Sequence, residues 1–254
     1  MACIAALAVA CVDQTPVTPT AATLVVQAVL DAGTNDQYIV VQATTGAENQ
    51  QLDLRGARVM ITAPSSLTHF ATEVRDTAPS RFAGAAPIIT TRYHVSFIED
   101  GGIVAGGTYR LHVVVPDGRE VNGVTTVPSA TPSMTFAALP DFNRTRDTLL
   151  LAWPSVRGAA AYEVFVRSPQ ASFRLFSDST VAIAGKAENE DGNPAFFPGY
   201  ANKVVVSAVD ANYYDYYRRT SDFFSGRGII NHLDGAVGVF GSIVPVASYS
   251  FMVR

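Results

Sequence analysis

Thiols are almost missing from this chain. Its 254 residues include two cysteines, Cys3 and Cys11, both in the opening segment. From residue 12 onward nothing can form a disulfide, a zinc knuckle or a thiolate nucleophile, so packing alone must hold the fold. Charge is also scarce, at 16% of residues against about a quarter in average proteins. Lysine occurs only at Lys186 and Lys203, no basic run exists, and the formal net charge is -4. Such a surface has no field to gather phosphate backbones, and nucleic acid is excluded as an expected partner.

Motifs that carry chemistry are absent in the same way. There is no H-E-x-x-H run, no G-x-S-x-G elbow and no glycine loop ending in Lys-Ser/Thr. His69, His94, His112 and His232 are isolated, and a metal needs several ligands converging on one point. His232 with Asp234 is the nearest approach to a metal pair, in a glycine-bounded stretch that reads as a turn. Ser242, in FGSIV, has no histidine near it in sequence. Glu188, Glu190, Asp191 and Asn193 supply hard oxygens, but their spacing matches no calcium loop and reads as a solvated acidic turn. The expectation is a protein without cofactor, metal or catalytic residues, and not an enzyme.

What is present begins with MACIAALAVACVDQTPVTPT. The apolar stretch from Ala2 to Val12 is too short to cross a bilayer as a helix, but it has the length of a secretory h-region. Leu7, Ala8, Val9 and Ala10 precede Cys11, and small residues ahead of a cysteine resemble the lipobox of bacterial lipoproteins. In those proteins the cysteine is acylated and becomes the first residue, so Cys11 is the expected lipidation site. The Thr/Pro stretch after it is an expected tether. An ordinary cleaved signal or a buried strand are the alternatives, and the missing basic residue ahead of the apolar run departs from signal peptides. Val12 rather than Asp follows the cysteine, which by analogy with sorting rules leaves the outer membrane as the expected address.

From Thr23 the text is one of short strands: TLVVQAVL, QYIVVQATT, GARVMITA and RYHVSF are rich in β-branched or aromatic residues. In GTYRLHVVVPDGREVNGVTTVP, Tyr109, Leu111, Val113 and Val115 alternate with the opposite face, and Pro116, Asp117 and Gly118 form a turn, which predicts a hairpin. Residues 128–140 carry three prolines and little periodicity, and a domain boundary is expected there. TLLLAW, AYEVFVRS and KVVVSAVD follow, with Tyr162, Val164 and Val166 on one face and Trp153 as the only tryptophan. Their order resembles fibronectin type III and immunoglobulin-like sandwiches, in which a tryptophan anchors the core. The uncharged closing stretch, residues 235–253, is long enough for a membrane helix, but Gly238, Gly241 and Pro245 argue instead for two strands.

One stretch breaks the β pattern. In NYYDYYRRTSDFF the residues Tyr213, Tyr216, Tyr217, Thr220, Phe223 and Phe224 form a helical stripe. Asp215 with Arg219 and Arg218 with Asp222 pair at i,i+4, Asn212 is the expected N-cap and Gly226 the C-terminal stop. The stripe predicts a helix near 212–225 packed on the second sandwich, with Tyr214 alone facing outward. The architecture read from sequence is therefore mainly β: a signal and tether over 1–22, one immunoglobulin/fibronectin-like β-sandwich over 23–130 and another over 131–254 with a short helix. Phe196, Phe197, Tyr200 and Tyr214 are the candidate ligand-binding residues, since exposed aromatic rings match the C–H faces of sugars. A glycan or a peptide is the expected ligand, and rings that merely cover the sandwich ends are the alternative.

The lipobox ending at Cys11, LVVQAVL, GARVMI, GTYRLHV, YEVFV, VVVSAVDANYYDYY and GAVGVFGS occur in this order along nearly the whole chain. Together they resemble a family of Gram-negative outer-membrane lipoproteins known only as a domain of unknown function, often encoded beside TonB-dependent receptors. That resemblance implies a lipid-anchored, two-domain β protein, periplasmic or surface-exposed, and it supplies no catalytic residues. It makes a TonB-dependent outer-membrane receptor an expected partner. The function expected is binding, as an accessory to an outer-membrane nutrient transporter. An adhesion or envelope-assembly module is the alternative, and a secreted hydrolase comes third.

Overall fold

The computed structural model describes residues 22–43, 54–78, 88–143, 149–169, 172–184, 198–218 and 231–254. Cys11, Phe196, Phe197, the acidic turn at 188–193 and the expected helix beyond residue 218 lie outside the described residues. The first half supplies β1 (Leu24–Asp31), β2 (Asp36–Ala43), β3 (Arg58–Thr62), β4 (Thr68–Phe70), β5 (Thr72–Ala78), β6 (Ile88–Ser96), β7 (Thr108–Val114) and β8 (Glu120–Thr126). The second supplies β9 (Phe136–Ala138), β10 (Leu149–Ala152), β11 (Ala161–Arg167), β12 (Ser172–Ser177), β13 (Val181–Ala184), β14 (Ala201–Val209), α1 (Ala211–Tyr217), β15 (Leu233–Asp234) and β16 (Val237–Met252). The protein is mainly β, its sheets packed face to face.

A nine-stranded sheet in the order β12-β11-β14-β16-β1-β2-β6-β5, with β9 also on β16, forms the spine. Its inner face packs against a five-stranded sheet, β15-β8-β7-β3-β4, and a two-stranded one, β10-β13. The period-2 patterns explain the layering. Tyr109, Leu111, Val113 and Val115 are buried, as the hairpin reading requires, and Asp117 closes the turn by accepting from the Arg119 amide at 3.1 Å. Tyr162, Val164 and Val166 are likewise buried, and Trp153 lies 5.6 Å from the Tyr162 ring. One core cluster runs from Leu24 and Val26 through Tyr109 and Phe240 to Val204 and Phe251.

One feature of the path departs from the sequence reading. The closing stretch, residues 235–253, is not two strands but one, the sixteen-residue β16. The first part of β16 runs parallel to β1, with Val25 opposite Val237 and Asp31 opposite Ile243. Its second part runs antiparallel to β14, from Val209 opposite Ile243 to Ala201 opposite Met252. Pro245 does not end the strand because it sits at a bulge, between Val206 and Ser207 on the partner, where a missing amide proton costs little. The strand therefore joins strands of the first half to strands of the second within one sheet. The proline-rich stretch around 128–140 also has a place: the Ser133 amide donates to the Pro245 carbonyl, β9 pairs with Ser248 to Ser250, and the Phe142 amide donates to Met252. Strands on both sides of residue 130 share one sheet.

The described helix is α1. Its N-cap is Asp210, whose carboxylate accepts from the Tyr213 amide, and not Asn212 as the sequence suggested. Asn212 is engaged elsewhere, donating to the carbonyls of Val124 (2.7 Å) and Phe240 (2.9 Å). Asp215 pairs with Arg218 at 2.8 Å and with His232 at 3.0 Å.

Candidate functional site

The helix lies on the outer face of the nine-stranded sheet and divides what that face presents. Under α1, Tyr213, Ala161 and Val209 form a small buried cluster with Val29, Phe176, Tyr214, Tyr217 and Ile243 against it. Glu163, at an outward position of β11, is covered by the helix. It accepts from the Tyr213 hydroxyl at 2.7 Å and pairs with Arg174. Burial pushes the Glu163 carboxyl upward, tempered by the Arg174 charge, and burial with the neighbouring Glu163 charge pushes the Tyr213 phenol upward as well. Tyr214, expected to face outward alone, packs 5.5 Å from the Phe176 ring, and the Arg218 guanidinium lies over it at 4.6 Å. Its ring face is occupied from within the molecule.

At the base of the helix a polar joint ties the two halves. The Asp210 carboxylate accepts from the Thr125 hydroxyl (2.6 Å) and from the amides of Tyr213 and Ser242 (each 3.0 Å). Ser242 in turn donates its hydroxyl to the Thr126 carbonyl at 3.3 Å. Ser242 is fully buried, which removes it from any nucleophilic role with an outside substrate. Burial raises the Asp210 pKa against these hydrogen bonds, and burial raises that of Asp31 too.

A pH dependence follows. A carboxyl raised in the native state holds its proton more tightly there than in the unfolded chain. The associated stability is therefore complete below the ordinary values of 3.8 and 4.5, and is lost as pH rises through the folded values. Chemical denaturation should show a more stable protein in mild acid than at neutrality. Asp210→Asn should flatten that slope; an unchanged slope would show that Asp210 does not titrate above its ordinary range.

Beyond the helix the face opens to solvent. Across it, Arg174, Phe165, Val205, Ser248 and Phe136 form one row of register partners, and Ser172, Arg167, Lys203, Ser250 and Ala138 the next. The cations rest on rings: Arg167 lies 5.4 Å from the Phe165 centroid, Arg174 4.8 Å from that of Tyr217, and Lys203 5.3 Å from that of Phe136. Tyr200 is exposed beside the end of these strands, where its carbonyl accepts from Val253. Of the sequence candidates, then, Tyr200 borders this face, Tyr214 belongs to the covered part, and Phe196 and Phe197 lie outside the described residues.

A concave site of about 370 Å³ lies elsewhere, lined by Thr62, Pro64, Ser66, Gly107, Thr108 and Arg110 among others. Each histidine meets a carboxylate: His69 with Asp100, His94 with Asp36, His112 with Glu120 and His232 with Asp215. Among the described residues no three such groups converge as a metal site would require. Among the same residues no helix is long and apolar enough to cross a membrane.

A family model for a domain of unknown function, DUF4249, matches residues 12–244, spanning the joint and both rows of the open face as far as β14. The chain belongs to the DUF4249 family. No curated protein matches it. Sequence reading did not single out Arg167 and Lys203 in this DUF4249 chain, although the alternation in YEVFVRS and ANKVVV already places both on outward positions. What the text could not show is the register that sets them side by side.

Proposed function

We propose that this DUF4249 protein is a lipid-anchored cell-envelope binding protein, tethered through Cys11 and serving as an accessory to an outer-membrane nutrient transporter, in company with a TonB-dependent receptor. The observation that carries this reading is the open outer face of the sheet, where exposed cations and apolar side chains stand together, and where Arg167 and Lys203 have no carboxylate partner among the described residues. Surfaces of that kind serve recognition. Reading the second half as fibronectin type III-like is supported by the order β12-β11-β14-β16 facing β10-β13 with Trp153 between them.

The test is mass spectrometry of the native protein together with gentle detergent extraction. The reading expects residues 1–10 removed, an acylated thiol at Cys11 and co-purification of a large outer-membrane barrel. A chain that retains residues 1–10 and a bare Cys11 thiol would sink the address, and the accessory role with it. An acylated chain that never co-purifies a barrel would favour the adhesion or assembly module, a reading supported by the single strand β16 that joins both halves into one spine.

A further inference from the structure

Arg167 and Lys203 stand directly opposite each other on adjacent strands, an arrangement that destabilises a sheet because like charges repel across the short inter-strand gap. Neither makes an ion pair among the described residues, in a chain with 22 acidic residues against 18 basic ones. A neutralising partner was available to the sequence and is not used. The cost is retained at a place where both side chains face solvent.

On the same face Phe136 and Met252 are exposed by 39% and 41%, and Met134, two residues before β9 and beside Gly33, by 61%. The two groups are contiguous, since the Lys203 ammonium lies 5.3 Å from the Phe136 centroid. Stacking on Phe165 and Phe136 holds the cationic heads in place while leaving their N–H groups free to meet anionic oxygens.

We propose that this face docks on an anionic lipid surface, Arg167 and Lys203 meeting lipid phosphates while Met134, Phe136 and Met252 enter the boundary between headgroups and acyl chains. Cations flanking exposed apolar side chains are the composition of interfacial membrane binders. Methionine favours lipid over sugar: a thioether offers neither a stacking plane nor strong hydrogen bonds, yet it adapts to fluid hydrocarbon. Beyond α1 the face is a run of adjacent strands and not a concavity, and the concave site lies elsewhere.

The proposal takes its membrane from the envelope reading. There, the stretch from Cys11 to Ala22 reaches roughly 40 Å when extended. From Val237, near where the tether enters, to Ser250 on the face, β16 runs about 43 Å. That reach lets the end of the face beyond α1 meet the surface to which the chain is tied.

The experiment uses the full-length chain with Cys11→Ser, so that no acyl group contributes and the outcome is independent of whether Cys11 is modified. Sedimentation with vesicles of phosphatidylcholine alone, and of phosphatidylcholine mixed equally with phosphatidylglycerol, should show binding only to the second kind, weakening as salt rises. Arg167→Gln with Lys203→Gln should lower the partition about thirtyfold. Met134→Ser with Met252→Ser should lower it separately while leaving the salt dependence in place. All four positions are exposed, so melts no lower than the parent's are expected, with a small rise for the Gln pair as the repulsion is relieved, and these would assign the loss to the contact rather than to the fold.

Equal partition onto both vesicle types, no binding to either, or unchanged binding of the Gln pair would overturn the proposal. So would binding to polyglutamate that requires Arg167 and Lys203 while the vesicles stay free, which would point to an acidic protein surface.

Discussion

Replacing Gly238 by alanine should destabilise the protein by about 4 kcal/mol or more, read as a fall in the urea midpoint at constant slope. Gly238 has φ +141°, and a Cβ there would stand 1.9 Å from the Val26 carbonyl oxygen and 2.8 Å from its carbon. The neighbour cannot retreat. Val26 is opposite Gly238 on one side and Val41 on the other, and its side chain is fully buried. Backbone strain alone costs on the order of 1–3 kcal/mol, and the clash with a fixed carbonyl adds to it. Gly56→Ala is the control: φ is +77° but nothing lies within 4 Å of the added carbon, so only the conformational cost of about 1 kcal/mol should appear. If both variants lose the same small amount, β1 does not pair with β16 as described.

Asp210→Ala should cost about 3 kcal/mol, since it orphans several buried donors at once. The amides of Tyr213 and Ser242 lose their acceptor, and Thr125 keeps only the Ser242 hydroxyl, 3.1 Å away. An exposed N-cap accounts for roughly 1 kcal/mol of such a loss; the remainder measures the joint between β8, α1 and β16. Relief of the buried carboxylate's desolvation works in the opposite direction and keeps the figure from rising further. Asp210→Asn keeps an acceptor and should lose less than half as much. Amide exchange supplies the local readout, because Tyr213 and Ser242 should exchange faster in the Ala variant. A loss near 1 kcal/mol with unchanged exchange at Ser242 would reduce Asp210 to a simple helix cap.

The outcomes divide by the range over which each signal acts. The hairpin at Pro116–Gly118 and the buried rows at Tyr109–Val115 and Tyr162–Val166 are set by neighbours in the chain, and the text showed them. The N-cap was misplaced by two residues because Asn212 and Asp210 are both good capping types, and the choice fell to which carbonyls lay within reach of Asn212. Tyr214 was read as outward by helical spacing, which is blind to Phe176 on another strand.

By itself the sequence determined a thiol-free β protein from residue 12 onward, the inward rows of its strands, the tryptophan in its core and a helix after KVVVSAVD, because these depend on period, turn chemistry and composition. Only the tertiary structure decided that β16 joins strands of both halves into one sheet, that Glu163 on an outward position is roofed by α1, and that Arg167 faces Lys203. Pairing partners and register are long-range choices, made when distant strands meet and bury a common face, and no local pattern encodes which strand will arrive.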